Sequence, residues 1–403
     1  MNNLKRWGIA LAGVLLQISL GSVYAWSVFK VPLTKQFHWT NPQVTFTFTI
    51  SILALGFAAF FGGLWLKKVG PRVVAMTGGA LYGIGVFLAS FSDMGLWWLY
   101  LTYGVIGGIG LGFAYIVPIS VLVKWFPDKR GLMTGIAVGG FGAGALIVAP
   151  LATQLIHTVG VLHTFEYLGI AYLIATVAAG FFLQNPPEGY VPEGWAPVVS
   201  TQAAAGKEAF TLGEALKTWQ WWGLWLLLFL NTSAGISIIS QESSLFQALG
   251  KITVAVAAGM IGIVSLGNAF GRIFWAWVSD FAGRKITFAL IFIIQIALFW
   301  FLPGFHTVIG ITIMCFLILM CYGGGFGTMP AFAADYFGSV NVGSIYGLML
   351  TAWGFASLFG PSLIERLHQS TGTFDSGLHV IAGVMAVSAI LPLLVKPPVK
   401  RIA

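Results

Sequence analysis

In the stretch VSLGNAFGRIFWAWVSDFAGRK, residues 264–285, a charge sits deep within an apolar, helix-length run. It is an apolar run with one charge, Arg272, set about eight residues before Asp280, where the following loop begins. At 1.5 Å per helical residue, that places Arg272 roughly 12 Å inside the helix end. A central arginine costs about 2.5–3.5 kcal/mol on insertion scales, so such a residue is a functional candidate by default. A guanidinium keeps its proton and therefore needs an anion or a fixed dipole as partner.

Working outward, the composition excludes a soluble domain. The chain is 58% hydrophobic and 8% charged, with a mean hydropathy of +0.90, more apolar surface than one globular core uses. Twelve apolar stretches long enough to cross about 30 Å of hydrocarbon fall at 7–29, 43–66, 72–92, 95–123, 132–158, 164–184, 219–246, 253–279, 286–304, 307–334, 342–364 and 377–395. The first follows Lys5 and Arg6 without a small-residue cleavage site, which reads as a retained span. With the N-terminus inside, fifteen of the 20 Lys and Arg fall on cytoplasmic segments. Lys30, Lys35, Lys251 and Arg366 fall outside, and Arg272 lies in the bilayer. This asymmetry satisfies the positive-inside rule with both termini cytoplasmic. The net charge of +8 is therefore a topology signal, with no nucleic acid as partner; the basic loops lie against anionic lipid.

Cys315 and Cys321, six apart on one predicted helix, suit neither a disulfide nor a metal site and read as packing residues. The six histidines map to outer loops or outer helix ends without ligand spacing, so no metal and no cofactor is expected. The only long polar interruption, 185–218, divides the spans six and six, and EAFTLGEALKTW within it has the pattern of a short amphipathic helix. The domain reading is a bundle over 1–184, a cytoplasmic linker over 185–218 and a second bundle over 219–403. Glycines cluster where helices pass closely: Gly104, Gly108 and Gly112 form one ridge, Gly135/Gly139 and Gly140/Gly144 two more. Gly323, Gly324, Gly325 and Gly327 are expected to thin or bend the tenth span.

Two loops repeat across this division. GGLWLKKVGPR (62–72) follows the second span and AWVSDFAGRK (276–285) the eighth, with Gly70 and Gly283 each shortly before a basic residue. Both resemble the major facilitator superfamily signature G-x-x-x-D-R/K-x-G-R/K-R/K. Asp280, Gly283, Arg284 and Lys285 fit it. The first copy departs, with Lys67 in place of the acid and Pro71 in place of a basic residue before Arg72. In that family the acid locks a helix–helix contact, so a looser gate is implied for the first half. The implied fold is an all-α membrane protein, twelve transmembrane helices in two pseudo-symmetric six-helix bundles.

KWFPDKRGLMTGIAVGGFGAG (124–144) resembles the entry to the fifth helix in monocarboxylate transporters and the oxalate:formate antiporter family, and WQWWGLWLLLFLN (219–231) resembles their seventh-helix opening. The resemblance implies a substrate-binding role for Arg272, with Asn268 one turn earlier on the same face. It implies pocket roles for Tyr115, for Tyr322 and Phe326 at i and i+4, and for Tyr24. Packing or lipid contact is the alternative for each aromatic, and a structural arginine tied to carbonyls the alternative for Arg272. In YGLMLTAWGFASLFG (346–360), Trp353 stands where oxalate carriers place a lysine. One cation then remains, and charge matching favours a single carboxylate, because a second buried one would go unpaired.

The resulting expectation is a carrier, and no enzyme, for small monocarboxylates such as lactate, pyruvate, propionate or acetate. It works by alternating access with the proton as coupling ion, as a monomer in a prokaryotic plasma membrane. Exchange of the oxalate:formate type is the alternative. An intramembrane hydrolase needs a nucleophile with its base, paired acids or a metal at membrane depth; no Ser/His, His/Glu or Asp/Asp pair occurs there. A channel calls for charge rings or carbonyl filters, and a receptor would bind without translocating.

Overall fold

Hydrocarbon offers no water to backbone N–H and C=O groups, so a crossing segment must close its hydrogen bonds internally. The computed structural model describes residues 2–128, 130–187, 190–192, 210–338 and 341–398. Twelve helical spans run through them: α1 (Leu4–Ala25), α2 (Asn41–Val69), α3 (Pro71–Met94), α4 (Leu96–Trp125), α5 (Gly135–Val159), α6 (Val161–Phe182), α7 (Trp219–Ile239), α8 (Val254–Ala282), α9 (Arg284–Gly304), α10 (Val308–Phe337), α11 (Val342–Thr371) and α12 (Asp375–Leu394). The chain is an all-α membrane protein. Threonines start several spans: the hydroxyls of Thr218, Thr253 and Thr307 accept from the first-turn N–H groups of α7, α8 and α10.

Neighbouring helices repeat across the two halves. In the first half, α2 packs on α4, α3 on α6 and on α4, and α1 on α5 and α4. The second half pairs α8 with α10, α9 with α12 and α10, and α7 with α11 and α10. The halves meet along two seams, α2 against α11 and α5 against α8, which exchange under the same two-fold relation. The two signature loops also share a backbone. Gly70 (φ 82°, ψ 168°) ends α2 and Gly283 (φ 83°, ψ 150°) ends α8. Both lie at positive φ, where a side chain is strained, so the first copy keeps the turn although its charges differ.

One expectation changes, one falls partly outside the described residues, and one is narrowed. The first crossing does not stop in a loop. After a 3₁₀ turn at Ser22–Ala25, the chain continues as a helix over Ser27–Phe37, so Lys30 sits in a helix and is 2% exposed. The linker is described only in part, since 188–189 and 193–209 lie outside the described residues. Its described end is a turn of helix, Leu212–Leu216, started by a capping box in which Thr211 N–H donates to Glu214 (2.7 Å) and Glu214 N–H donates to the Thr211 hydroxyl (3.3 Å).

Of the two effects expected of the α10 glycines, thinning is the one seen. The helix runs unbroken over Val308–Phe337, and its glycines press it against α8. A Cβ at Gly323 would stand 2.1 Å from the Asn268 carbonyl oxygen, and one at Gly327 would stand 2.0 Å from that of Arg272. Gly323→Leu is therefore expected to prevent folding or lower the melting temperature by at least about 5 °C, as overpacking of about 1–3 kcal/mol or more would. Gly259→Ala, with nothing within 4 Å of its Cβ, is expected to melt within about 2 °C of the parent, because it adds helix propensity alone. Thermal unfolding in detergent reads both.

Candidate functional site

On α8, Asn268 and Arg272 are one turn apart, and the Arg272 Nε–H donates to Asn268 Oδ1 at 3.2 Å. Both are fully buried. The close α8–α10 approach brings the Phe326 ring to 4.7 Å from the guanidinium carbon, and Phe141 on α5 lies at 5.9 Å. Ring faces attract a cation but accept no strong hydrogen bond. Arg272 Nη1 and Nη2 have no hydrogen-bond partner among the described residues.

Aromatic residues from both halves close the box. The Tyr24 hydroxyl, placed by the 3₁₀ turn in α1, lies 2.9 Å from that of Tyr322 on α10. Tyr115 on α4 packs edge-on to Phe141 at 5.1 Å and to Trp353 at 5.7 Å, and Trp353 meets Phe326 at 4.8 Å. Tyr115, Tyr24 and Tyr322 all stand within electrostatic reach of the guanidinium. The seven residues singled out for this pocket in the sequence thus lie together around one centre.

Their polar atoms share a character. Besides Arg272 Nη1 and Nη2, the buried Trp353 Nε1 lacks a partner among the described residues, Asn268 Nδ2 faces the Tyr24 hydroxyl, and the Tyr115 hydroxyl faces the guanidinium with its own proton left to donate. All can donate, and an unpaired buried donor costs about 1–3 kcal/mol. An ionised carboxylate, which only accepts and offers about four lone-pair sites, fits this donor set.

Phe141 was missed from the sequence, although it is the lone aromatic in the small-residue run GLMTGIAVGGFGAG. Tyr346 was missed as well; it stands within electrostatic reach of Tyr115 and Arg272. Arg272 is also not the only buried charge. Lys30, placed on an outer segment by the charge count, donates to Glu365 Oε2 at 2.7 Å and to Gln241 Oε1. The Gln241 amide donates to the same carboxylate oxygen at 2.7 Å. A pair at side-chain exposures of 2% and 3% joins the first half to α11.

The two faces of the molecule are closed unequally. On the face away from the termini, the Lys30 cluster caps the site, and below it Thr49 and Ser357 exchange hydroxyl-to-carbonyl bonds of 3.0 and 2.9 Å across the α2–α11 seam. On the basic face that carries the termini, a cavity of about 400 Å³ runs inward from Lys67 and Lys124 to Phe326 and Tyr346. Those two side chains stand between it and Arg272.

The signature residues lie at the rim of this basic face. Arg284 bonds Asp280 (2.7 Å) and Asp335 (3.0 Å), tying the α8–α9 turn to the end of α10. Lys67 has no ion pair among the described residues and lines the cavity instead, while Arg72 lies 4.6 Å from the Phe181 ring.

A family model described as Major Facilitator Superfamily matches residues 9–361 and 236–401. The chain is 29% identical over 373 residues to the oxalate:formate antiporter of Oxalobacter formigenes, covering 89% of this chain and 84% of the relative. It is 25% identical to apicoplast pyruvate carrier 1 of Toxoplasma gondii, with 98% and 91% covered. To monocarboxylate transporter 2 of Rattus norvegicus it is 26% identical, with 94% and 81% covered.

Arg272→Met is expected to melt no lower than the parent, since it removes an unpaired buried charge. It should also weaken binding of a small carboxylate at least about tenfold, the loss of a charge-assisted hydrogen bond. Titration calorimetry checks the binding.

A pH effect follows from Glu242, which opens the helix Glu242–Gly250 between α7 and α8. Its Oε1 has no partner among the described residues, and burial pushes the carboxyl well above the ordinary carboxylate range. The folded form therefore holds this proton more tightly than the unfolded form. Stability from it is present at low pH and lost as pH rises through the raised value. Melting measured from about pH 5 to 9 should fall more steeply for the parent than for Glu242→Gln, whose amide carries no such titration.

Proposed function

The chain belongs to the Major Facilitator Superfamily, and from that premise we propose that it carries small monocarboxylate anions of the lactate and pyruvate class across a prokaryotic plasma membrane. The observation that carries this reading is the pair of unpaired Arg272 nitrogens inside a box of donors and ring faces. One carboxylate neutralises one guanidinium, and a planar fork takes its two oxygens together. The Trp353 indole N–H and the Tyr115 hydroxyl remain for a hydroxyl or keto oxygen of the same molecule. A dicarboxylate would bring a second charge, and at the corresponding place in helix eleven this chain has the neutral Trp353. The names of the relatives, a pyruvate carrier and a monocarboxylate transporter among them, agree with this class.

In this reading the basic face is cytoplasmic, and the protein works as a monomer in which bundles 1–184 and 219–403 rock about Arg272. The empty carrier holds an unpaired buried cation and the loaded one is near neutral, which favours crossing with substrate aboard. Proton symport is the coupling mode proposed. Exchange of the oxalate:formate type is the second reading, favoured by Asn268, a neutral residue, as the α8 partner of Arg272. The residues about Lys67, Gly70, Arg72, Asp280, Gly283 and Arg284 form the gate on the cytoplasmic side.

Uptake of labelled lactate into proteoliposomes decides between the modes. Symport predicts stimulation by an inward proton gradient into empty vesicles. Uptake that ignores the gradient and needs preloaded anion would remove symport in favour of exchange. Arg272→Lys keeps the charge but loses the fork and should lower uptake at least about tenfold; unchanged uptake would move the anion site elsewhere.

A further inference from the structure

The two half-molecules repeat one hydrogen bond that holds the site tyrosines. On α1, Gln17 is fully buried, and its amide N–H donates to the backbone carbonyl of Tyr115 on α4 at 3.2 Å. On α7, the fully buried Asn231 donates to the backbone carbonyl of Tyr322 on α10 at 3.1 Å. Helices α1 and α7 correspond in the repeat, as do α4 and α10. Each amide therefore reaches across the equivalent helix pair to the equivalent kind of residue. In each case the amide oxygen, Gln17 Oε1 or Asn231 Oδ1, has no partner among the described residues, so both side chains are committed through their N–H groups.

Glycines make room for both. A Cβ at Gly325 would stand 2.1 Å from Asn231 Nδ2, and one at Gly140 would stand 3.2 Å from the Gln17 Cβ. A polar side chain buried in an apolar bundle carries a desolvation penalty that leucine would not, so packing alone does not explain these amides. An interhelical hydrogen bond to that carbonyl ties the two helices together at the turn that carries the ring. Tyr115 and Tyr322 approach Arg272 from opposite halves, so small shifts of either change the cage on one side.

We propose that Gln17 and Asn231 are a symmetric pair of positioning residues that set Tyr115 and Tyr322 around the substrate carboxylate. The inference rests on the proposed monocarboxylate site. Neither amide touches substrate; each acts through the tyrosine it holds.

The test is lactate transport by Gln17→Met and Asn231→Leu, near-isosteres that lack the donor, in proteoliposomes with melting measured alongside. Each is expected to raise KM roughly tenfold, the worth of one buried hydrogen bond, with kcat within about twofold and melting near the parent's, since uniform binding is what is lost. Gly325→Ala, which displaces the Asn231 amide without touching it chemically, should raise KM in the same way. Should Gly325→Ala fail to fold, the two amide variants decide alone. An unchanged KM in both amide variants, or a fall in kcat at constant KM, would overturn the pair's positioning role. Failure of the parent to transport lactate would instead count against the proposed function, and carboxylate binding by calorimetry on the same variants would then still test the positioning.

Discussion

A single guanidinium kept from both water and lipid organises the centre of this molecule. Arg272 donates one hydrogen bond, to Asn268 Oδ1, and faces two rings. Cation–π contacts contribute about 0.5–2 kcal/mol each, well short of compensating a buried charge. In the proposed reading, that shortfall is what an incoming anion would offset. Keeping it requires backbone in close contact, and the glycines of α10 supply that by letting α10 lie against the carbonyls of α8. Phe326 is carried to the guanidinium by the same packing, so the helix contact and the binding cage are one device.

Much of this was legible in the chain. A charge in mid-span stands out against an 8% charged background, and Asn268, Tyr322 and Phe326 fall at helical spacing from known neighbours. Membership of the superfamily is borne out by the family match. What stayed hidden depends on partners far apart in sequence. Lys30 and Glu365 lie near the ends of apolar runs and read as loop charges, because nothing local shows that residues 335 positions apart meet. Gln17 and Asn231 are isolated amides in the middle of apolar helices, without a periodic signal. The glycine run of α10 was visible, but its sense was not: flexibility and close packing leave the same composition, and only the neighbouring carbonyls distinguish them.

The repeat has diverged unevenly. Both signature turns keep a glycine at positive φ, a steric requirement that charge cannot replace. The second copy retains its acid and couples Arg284 to Asp335. The first has lost the acid, and its Lys67 lines the cavity that leads toward the site. A position that clasps helices in one half places, in the other, a positive charge on a cavity wall.

The ion pairs of the two faces also live in different dielectric surroundings. Asp280 and Asp335 are 62% and 53% exposed beside Arg284, within reach of mobile counter-ions, whose Debye length at physiological salt is about 8 Å. Lys30 and Glu365 are sealed from them. Rising ionic strength therefore loosens the clasp at the basic face and leaves the opposite one nearly untouched. Salt on one side of the bilayer thus reaches one clasp, while the pair on the other side stays out of its range.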